Sequence, residues 1–442
     1  MNPWQTFTLS NFPALAWVKN SYVMRLIGLL QSWRSQSLFA PYLEPLAVLL
    51  LSVMFVVAPL VANSYTGFLL LASGAIWALL TLSDSRSTLR FIPAHLTLWL
   101  YWICAFLATA QSPVKGAAAS GLVKLSLYLV GFLLMERVMR RAKWRSVLMT
   151  VYLLSALFVT VYGMRQYLWG AEALATWVDP TSSSANQVRV YSYLGNPNLL
   201  AGYLLPAIPL GIGAALSWKG WLPKILAAGM TMLNLVCLYG TGSRGGWIGA
   251  AMAIFSLGVM LLYWILPKLP KAWRLSVFPL FFGSIVTVIA LGLLLSSAFR
   301  DRALSVFAGR ADSSNNFRIN VWDAVIDMIR DRPLLGIGPG NAAFNLVYPL
   351  YQRPNYSALG AYSIYLEMMV EVGLIGFTIF LWFLMTLLNR GVAMIHSLRE
   401  RSDMSAIGLM SAIAAMVGML VHGFVDTVWY RPEVATVWWL MT

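Results

Sequence analysis

Charged residues are scarce in this sequence. An ordinary soluble domain has about 25% charged residues, whereas only 11% of these 442 residues are charged and 59% are hydrophobic. Such a chain has too few charged side chains to cover an apolar core in water. The composition therefore excludes a soluble globular domain and indicates an integral membrane protein.

Cysteine and histidine are also rare, with two and three residues respectively. Cys104 and Cys237 both lie in apolar stretches, where packing is the expected role of a free cysteine. The motifs HExxH, CxxC, Walker A and GxSxG are missing, so metal, nucleotide and serine hydrolase sites lack support. We expect neither a metal nor a cofactor.

The formal charge of +15 reflects membrane topology. With the N-terminus in the cytoplasm, the cytoplasmic short loops hold 18 lysines and arginines and the opposite short loops hold three. This bias predicts an inner membrane protein, plasma or thylakoid, with a cytoplasmic N-terminus. No nucleic-acid module interrupts the apolar stretches, so no nucleic-acid partner is predicted.

Apolar stretches long enough to cross a bilayer recur from residue 45 onwards. We predict an all-α polytopic membrane protein with about 11–12 transmembrane helices and a large, partly helical extracytosolic loop between spans 9 and 10. The predicted spans are 45–62, 66–82, 94–110, 119–136, 146–167, 198–217, 220–239, 246–266, 275–298, 362–390 and 405–424. Residues 434–442 predict the opening turns of a twelfth.

The predicted organisation has four parts. Residues 1–41 form a cytoplasmic segment whose sequence at 21–39 favours an amphipathic helix on the membrane surface. Residues 42–298 hold spans 1–9, residues 299–361 form the extracytosolic loop, and residues 362–442 hold spans 10, 11 and the start of 12. Unstructured loops as long as 299–361 are uncommon and usually functional.

The long loop contains a second amphipathic pattern. Apolar residues recur at helical spacing from Phe317 to Met328, and the pattern stops before Pro333. Arg318 lies at the start of this predicted helix. Asp323 and Asp327 share one face, as paired acid and base groups do, but a solvated position on a surface helix is the favoured interpretation.

Ionisable residues within predicted spans are candidates for function because a membrane makes them costly. Lys124 lies about two turns into span 4. Glu367 and Glu371 are i, i+4 neighbours in span 10, for which pairing with a loop arginine is favoured. His422 and Asp426 are i, i+4 neighbours at the end of span 11. They form either a buried pair that orients helices or a proton-handling site.

Two turns between spans add further candidates. "YLGNPNLL" follows Arg189, and in it Asn198 is expected to cap span 6. "YGTGSRGGWIG" places Ser243 as the expected cap of span 8, whose N-terminus attracts anions. Arg244 adds a full charge to that turn. An ordinary tight turn with an interfacial arginine is the alternative interpretation.

The succession of these motifs resembles a known family. "RVYSYLGNPNLLAGYL", "GSRGGW", "FRINVWDAVIDMIRDRPLLGIGPGN" and "AYSIYLEMMVEVGLIG" occur in the order typical of O-antigen-ligase-related membrane proteins. The passages "ATWVDP", "DSSNNFRINVW", "LGIGPGNAAFNLVYPLY" and "VHGFVDTVWYRPE" are similar to the cyanobacterial IctB branch, described as bicarbonate (inorganic-carbon) transporters. The resemblance spans most of the chain.

The resemblance implies an anion site. In ligases of the wider family, arginines hold the pyrophosphate of a polyprenyl-linked glycan and a histidine lies near the reacting centre, without metal. Arg189 and Arg318 match the arginine positions, and Arg244 is a weaker match. Where the family pattern has a His-Asn pair, this sequence has Tyr362 and Ser363. The ordinary pKa of a phenol is near 10, which makes it a poor proton acceptor.

Three functions remain open at this stage. The favoured one is a bicarbonate transporter with an arginine-lined anion site, because the IctB branch matches best and the ligase histidine is missing. The second is a metal-independent glycosyltransferase that acts on a lipid-linked pyrophosphate glycan, with Tyr362, His422 or Asp426 as candidate catalytic residues. The third is a non-catalytic subunit of another membrane complex. The bilayer is a partner in all three.

Overall fold

The computed structural model describes residues 3–10, 26–85, 92–172 and 189–442. Within these ranges, eleven helices are long and apolar enough to cross a membrane. Spans 1 to 11 are, in order, Ala40–Val57, Asn63–Leu82, Pro93–Ala110, Lys115–Met139, Ala142–Trp169, Pro197–Ser217, Trp221–Gly240, Arg244–Lys268, Lys271–Leu295, Ile364–Glu400 and Ser405–His422. The predicted spans are confirmed, and the chain is a polytopic membrane protein.

Shorter helices complete the described structure. They are Pro3–Phe7, Gln31–Gln36, Ser297–Leu304, Ser313–Asp331, Asn341–Val347 and Pro432–Met441. We call Ser297–Leu304 the bridge helix and Ser313–Asp331 the loop helix. The amphipathic helix predicted at 21–39 lies partly outside the described residues, and within them only Gln31–Gln36 forms an α-helix longer than one turn. Residues 432–441 do form a helix, and Pro432 occupies its first turn.

The loop helix agrees with the sequence prediction. It ends at Asp331, and it buries Val321, Ala324, Val325 and Met328 along one face. Asp312 caps its N-terminus by accepting a hydrogen bond from the backbone amide of Asn315 (2.9 Å). We call the end of the helix bundle that carries this helix the loop face.

Spans 8 and 11 pack together through small residues. A Cβ atom added at Gly249 would lie 2.8 Å from the carbonyl oxygen of Gly418, and one added at Gly418 would lie 2.8 Å from the carbonyl oxygen of Gly249. Only glycine allows two helix backbones to approach this closely. The contact holds the start of span 8 against the end of span 11 at the loop face.

Span 10 is broken at Gly373, whose backbone has φ 68° and ψ −177°. Residues 333–338, which follow the loop helix, enter this break. Their backbone forms hydrogen bonds with the backbone of span 10. Leu374 N donates to Pro333 O (2.8 Å), and Ile337 N donates to Val370 O (2.8 Å). These hydrogen bonds satisfy the backbone groups that the break leaves free, as a membrane environment requires.

Glycine is needed on both sides of this insertion. A Cβ atom at Gly373 would overlap the carbonyl oxygen of Leu334, and one at Gly336 would overlap the carbonyl oxygen of Val370. Both residues have φ of 68°, a conformation that side chains other than glycine rarely adopt. The loop helix is therefore fixed to span 10 through backbone contacts that follow directly after it in the chain.

Gly373→Ala is expected to destabilise the protein by at least about 2 kcal/mol, because it adds both backbone strain and an overlap with Leu334. Gly408→Ala is the matched control, since Gly408 lies in a span with nothing within 4 Å of its missing Cβ. Thermal unfolding in detergent measures both variants. Equal melting temperatures for the two variants would contradict this account of the break.

Candidate functional site

A cavity of about 260 Å³ lies at the loop face, between spans 6, 8 and 11, the bridge helix and the loop helix. The sequence-predicted residues Arg189, Arg244, Arg318, His422 and Asp426 all line it, together with Asn198, Gly242, Ser243, Gly245, Ile248, Arg302, Val306, Gly309, Ser314, Asn315, Ile319, Trp322 and Val425. The structure thus brings together residues that lie up to 237 positions apart in the chain.

Arg189 reaches the cavity from the segment before span 6. Its Nε donates to Thr241 O (2.8 Å), and its Nη2 donates to the side-chain oxygen of Asn198 (3.1 Å). Asn198 is therefore an arginine partner, and the prediction that it caps span 6 is wrong. Asn196 is the cap, because its side chain accepts hydrogen bonds from the first free amides of that helix.

Arg244 opens span 8 as predicted, and the side chain of Ser243 caps the helix by accepting from Gly246 N. The guanidinium of Arg244 forms a buried ion pair with Asp312 (2.8 Å) and donates to Ser305 O (3.0 Å). Because Asp312 is also the cap of the loop helix, Arg244 connects span 8 to that helix.

Arg318 projects from the first turns of the loop helix towards the turn that follows span 11. Its Nε donates to Val425 O (2.9 Å), its Nη1 donates to Ser314 Oγ (2.6 Å), and its Nη2 lies 3.9 Å from a carboxylate oxygen of Asp426. Asp426 also accepts from the amide of Thr427 (2.9 Å). The contacts of Arg318 with Val425 and Asp426 fix the loop helix over the end of span 11.

Arg302 is a fourth arginine of the cavity, and sequence reasoning missed it. It lies on the bridge helix and donates from Nε (3.2 Å) and Nη2 (2.9 Å) to the same carbonyl, Gly242 O. Its neighbourhood in sequence has no turn motif, and it is one of several arginines in the loop. Only the fold shows that it lies beside Arg244.

His422 forms part of the cavity wall under the arginines. It is 1% exposed, and its Nε2 has no hydrogen-bond partner within the described part of the chain. The ring fits against span 8 because residue 245 is glycine: a Cβ atom there would lie 2.9 Å from His422 Cδ2. The "SRGG" turn thus provides the arginine and also the space for the histidine.

Tyr362 lies next to the cavity but is not among the residues that line it. Its ring packs edge-on against Phe317, with the ring centroids 5.4 Å apart. Burial and, to a smaller extent, the Asp426 carboxylate raise its pKa to about 12, and Arg318 opposes this shift. A phenol with this pKa stays protonated at neutral pH and cannot accept a proton.

The remaining candidate carboxylates lie outside this cavity. Asp323 and Asp327 form exposed ion pairs with other loop residues, which agrees with the favoured interpretation. Glu367 is buried and accepts from Ala361 N (2.5 Å). Among the described residues neither Glu367 nor Glu371 forms an ion pair with an arginine. The predicted pairing of these glutamates with a loop arginine is therefore wrong.

The charges of the cavity do not balance. Arg244 is paired with Asp312, and Arg318 lies near Asp426, whereas Arg189 and Arg302 have only neutral acceptors in the described structure. Burial, together with the neighbouring arginines, lowers the pKa of Arg189 to about 10, and Asp426 opposes this shift. Four arginines against two aspartates leave a net excess of two positive charges in this partly buried region.

Part of the chain matches a known protein family. Residues 229–381 match a family model described as O-antigen ligase. The matched segment is shorter than half of the chain; it includes Arg244, Arg302 and Arg318, and it ends before His422. The match supports the O-antigen-ligase-like family. A search of curated proteins finds no match.

Arg244→Gln is expected to destabilise the protein by about 1–3 kcal/mol, because it leaves the partly buried carboxylate of Asp312 without its partner. Arg310→Gln is the control: Arg310 lies in the same loop, and its ion pair with Asp323 is about half exposed (53% and 44%). The loss of an exposed pair costs at most about 1 kcal/mol. Urea or thermal unfolding that gives equal losses would contradict this role for Arg244.

The contribution of Asp312 is expected to depend on pH. Burial alone raises its pKa, but the hydrogen bond from Arg244 leaves the pKa below its ordinary value. A carboxyl group of this kind stabilises the fold above its unfolded pKa of about 4 and loses that effect as the pH falls. The difference in melting temperature between wild type and Asp312→Asn should therefore shrink below about pH 4. A difference that is constant with pH would contradict the ion pair.

Proposed function

We propose that the cavity binds the diphosphate of a lipid-linked glycan and that the chain is an O-antigen-ligase-like glycosyltransferase. The observation that carries this proposal is a pair of partly buried arginines, Arg189 and Arg302, that form no ion pair with a carboxylate among the described residues. In this proposal the loop face is the extracytosolic face of an inner membrane, plasma or thylakoid, and the N-terminus is cytoplasmic.

The charge of the cavity favours a polyvalent anion. Burial of a guanidinium without a counterion is costly, so a ligand that neutralises both Arg189 and Arg302 gains more than a ligand that neutralises one. A diphosphate carries at least two negative charges and several acceptor oxygens that match the planar donors of arginine. Bicarbonate carries one negative charge and leaves one arginine uncompensated.

The position of the cavity also suits an amphiphilic substrate. Ile248 and Val306 line it and are 45% and 38% exposed, so its rim is partly apolar. Ile248 lies in the second turn of span 8, and its side chain is exposed. A diphosphate bound by the arginines would have its lipid tail beside this surface.

His422 is our candidate for the proton acceptor. In the proposed reaction a hydroxyl oxygen of the acceptor bonds to the anomeric carbon of the donor sugar, and the bond from that carbon to the diphosphate oxygen breaks. The electron pair of that bond leaves with the diphosphate, which the arginines hold, and the hydroxyl proton moves to His422 Nε2. Asp426 lines the same cavity and could act on the charge of the ring. Tyr362 has no part in this proton transfer.

Bicarbonate transport is the second candidate. The resemblance to the IctB branch favours it, and so does the break of span 10 at Gly373, near the buried Glu367 and the partly buried Glu371. Discontinuous helices with ionisable residues are typical of ion and substrate sites in transporters. The break is filled by residues 333–338, however, and the arginines lie at the end of the bundle, so the geometry gives transport less support.

The test uses purified protein in lipid nanodiscs with farnesyl-diphosphate-linked N-acetylglucosamine as the probe. His422→Asn is expected to keep the affinity for this probe within about threefold and to lower the release of farnesyl diphosphate at least about 100-fold. His396→Asn is the matched control, because His396 is an exposed histidine in the last turns of span 10. Binding and release are measured separately, by equilibrium dialysis and by mass spectrometry.

A second measurement separates the two candidate functions. If wild-type protein fails to bind the probe but gives liposomes a saturable uptake of labelled bicarbonate that Arg318→Ala abolishes, transport replaces transfer as the function. Probe binding without bicarbonate uptake supports the transferase.

A further inference from the structure

A second cavity, of about 230 Å³, lies between spans 3 and 4. It is lined by residues within 95–102 of span 3 and within 126–133 of span 4. Each of these stretches advances about 10 Å along its helix axis, so the cavity follows both helices for that distance. We call it the span 3–4 cavity. It shares none of its described lining residues with the cavity at the loop face.

The span 3–4 cavity is open on one side and largely apolar. His95 and Ser126 are polar, and the other described residues that line it are hydrophobic or aromatic. Trp99 is 54% exposed, so the cavity has an opening beside it. Because both walls are membrane spans, the medium outside an opening at this depth is hydrocarbon. The cavity therefore suits an apolar chain.

Contacts between the two spans fix both ends of the cavity. At one end, Trp102 Nε1 donates to Ser126 Oγ (2.8 Å). At the other end, the ring of His95 packs edge-on against Phe132, with the ring centroids 6.3 Å apart. A cavity with fixed walls binds an apolar ligand without the cost of opening the helices first.

The cavity begins at the end of the bundle opposite the loop face. His95 is the third residue of span 3, whereas Ser112, just beyond the other end of that span, donates to the carbonyl oxygen of Ile337 in the loop. From His95 the cavity extends for about 10 Å towards the middle of the membrane, where one leaflet of the hydrocarbon core is about 15 Å thick. This is the direction and depth of an acyl chain in the leaflet opposite the loop face.

A cation lies near the outer end of the cavity. Arg140 and Arg390 are close enough to His95 for their charges to act on its ring. Arg140 forms an ion pair with Glu136 (2.8 Å). Arg390 is exposed and forms neither an ion pair nor a hydrogen bond within the part of the chain that the structure describes. An exposed arginine at the membrane surface attracts the head groups of anionic lipids.

We propose that the span 3–4 cavity binds one acyl chain of an anionic phospholipid from the leaflet opposite the loop face, with the head group beside Arg390. In the orientation proposed above, this is the cytoplasmic leaflet. The site is independent of the proposed function, because the two cavities lie at different ends of the bundle and share no described residue.

The experiment uses two lipid probes that each carry a diazirine in one acyl chain: phosphatidylglycerol, which is anionic, and phosphatidylcholine, which is zwitterionic. The protein in mixed detergent and lipid micelles is irradiated, and mass spectrometry locates the attached lipid. We expect the labels to concentrate at residues 95–102 and 126–133. Phosphatidylglycerol is expected to label these residues about fivefold more than phosphatidylcholine does.

Two substitutions separate the acyl chain from the head group. Leu129→Trp fills the cavity and is expected to lower its labelling by both lipids at least about tenfold. Leu49→Trp is the matched control, because Leu49 is 60% exposed on span 1 and does not line the cavity.

Arg390→Gln is expected to lower labelling by phosphatidylglycerol to the level of phosphatidylcholine and to leave labelling by phosphatidylcholine unchanged. Lys224→Gln is its control, because Lys224 is an exposed cation in the first turn of span 7.

The wild-type protein alone can overturn the proposal, in case Leu129→Trp does not fold. Labels spread evenly over the spans, or a cavity that stays unlabelled, would show that no lipid occupies it. Equal labelling by the two lipids, or a preference for phosphatidylglycerol that Arg390→Gln leaves intact, would overturn the assignment of the anionic head group to Arg390. Labels within the cavity that both Leu129→Trp and Arg390→Gln reduce as described, with both controls unchanged, support the proposal.

Discussion

The arrangement of this protein at its loop face depends on the repulsion between four arginines that share one partly buried cavity. Like charges in a medium of low polarity repel strongly, so they stay together only where the fold holds them in place. Asp312 and Asp426 compensate for part of this repulsion. In the function that we propose, an anionic ligand compensates for the rest of this repulsion.

The scaffold that holds these charges relies on close backbone contacts. Spans 8 and 11 touch at Gly249 and Gly418, which brings Arg244 and His422 to the same wall. The loop helix, which carries Arg318, is fixed by the insertion of its following residues into the break at Gly373. Each contact needs glycine, and none contributes chemistry of its own. The charged residues depend on them for their positions.

Most of the helical architecture could be predicted from the sequence, because length and apolarity suffice to identify membrane spans. The loop helix and the Ser243 cap were also predicted, since both leave local signals. The break at Gly373 could not be predicted, because its hydrogen bonds come from a segment 33 to 41 residues away in the chain. Nor could the sequence show that span 6 is capped by Asn196 and not by Asn198, because the two residues lie within one turn of each other.

The site was predicted in part. Arg189, Arg244, Arg318, His422 and Asp426 were chosen as candidates from motifs, membrane depth and resemblance, and they line one cavity. Arg302 was missed because a single arginine in a long loop carries no periodicity and no motif. Distances in the folded chain decide which arginines have a carboxylate partner. These distances cannot be inferred from the spacing of residues along the sequence.

The central claim is that the excess positive charge between Arg189 and Arg302 is the binding site for a diphosphate. A cryo-electron microscopy map of the protein in nanodiscs with inorganic pyrophosphate tests it most directly. The account predicts density for the anion within hydrogen-bonding distance of both guanidinium groups, with Arg244 still paired to Asp312. An empty cavity, or an anion bound instead at the break near Gly373, would contradict it.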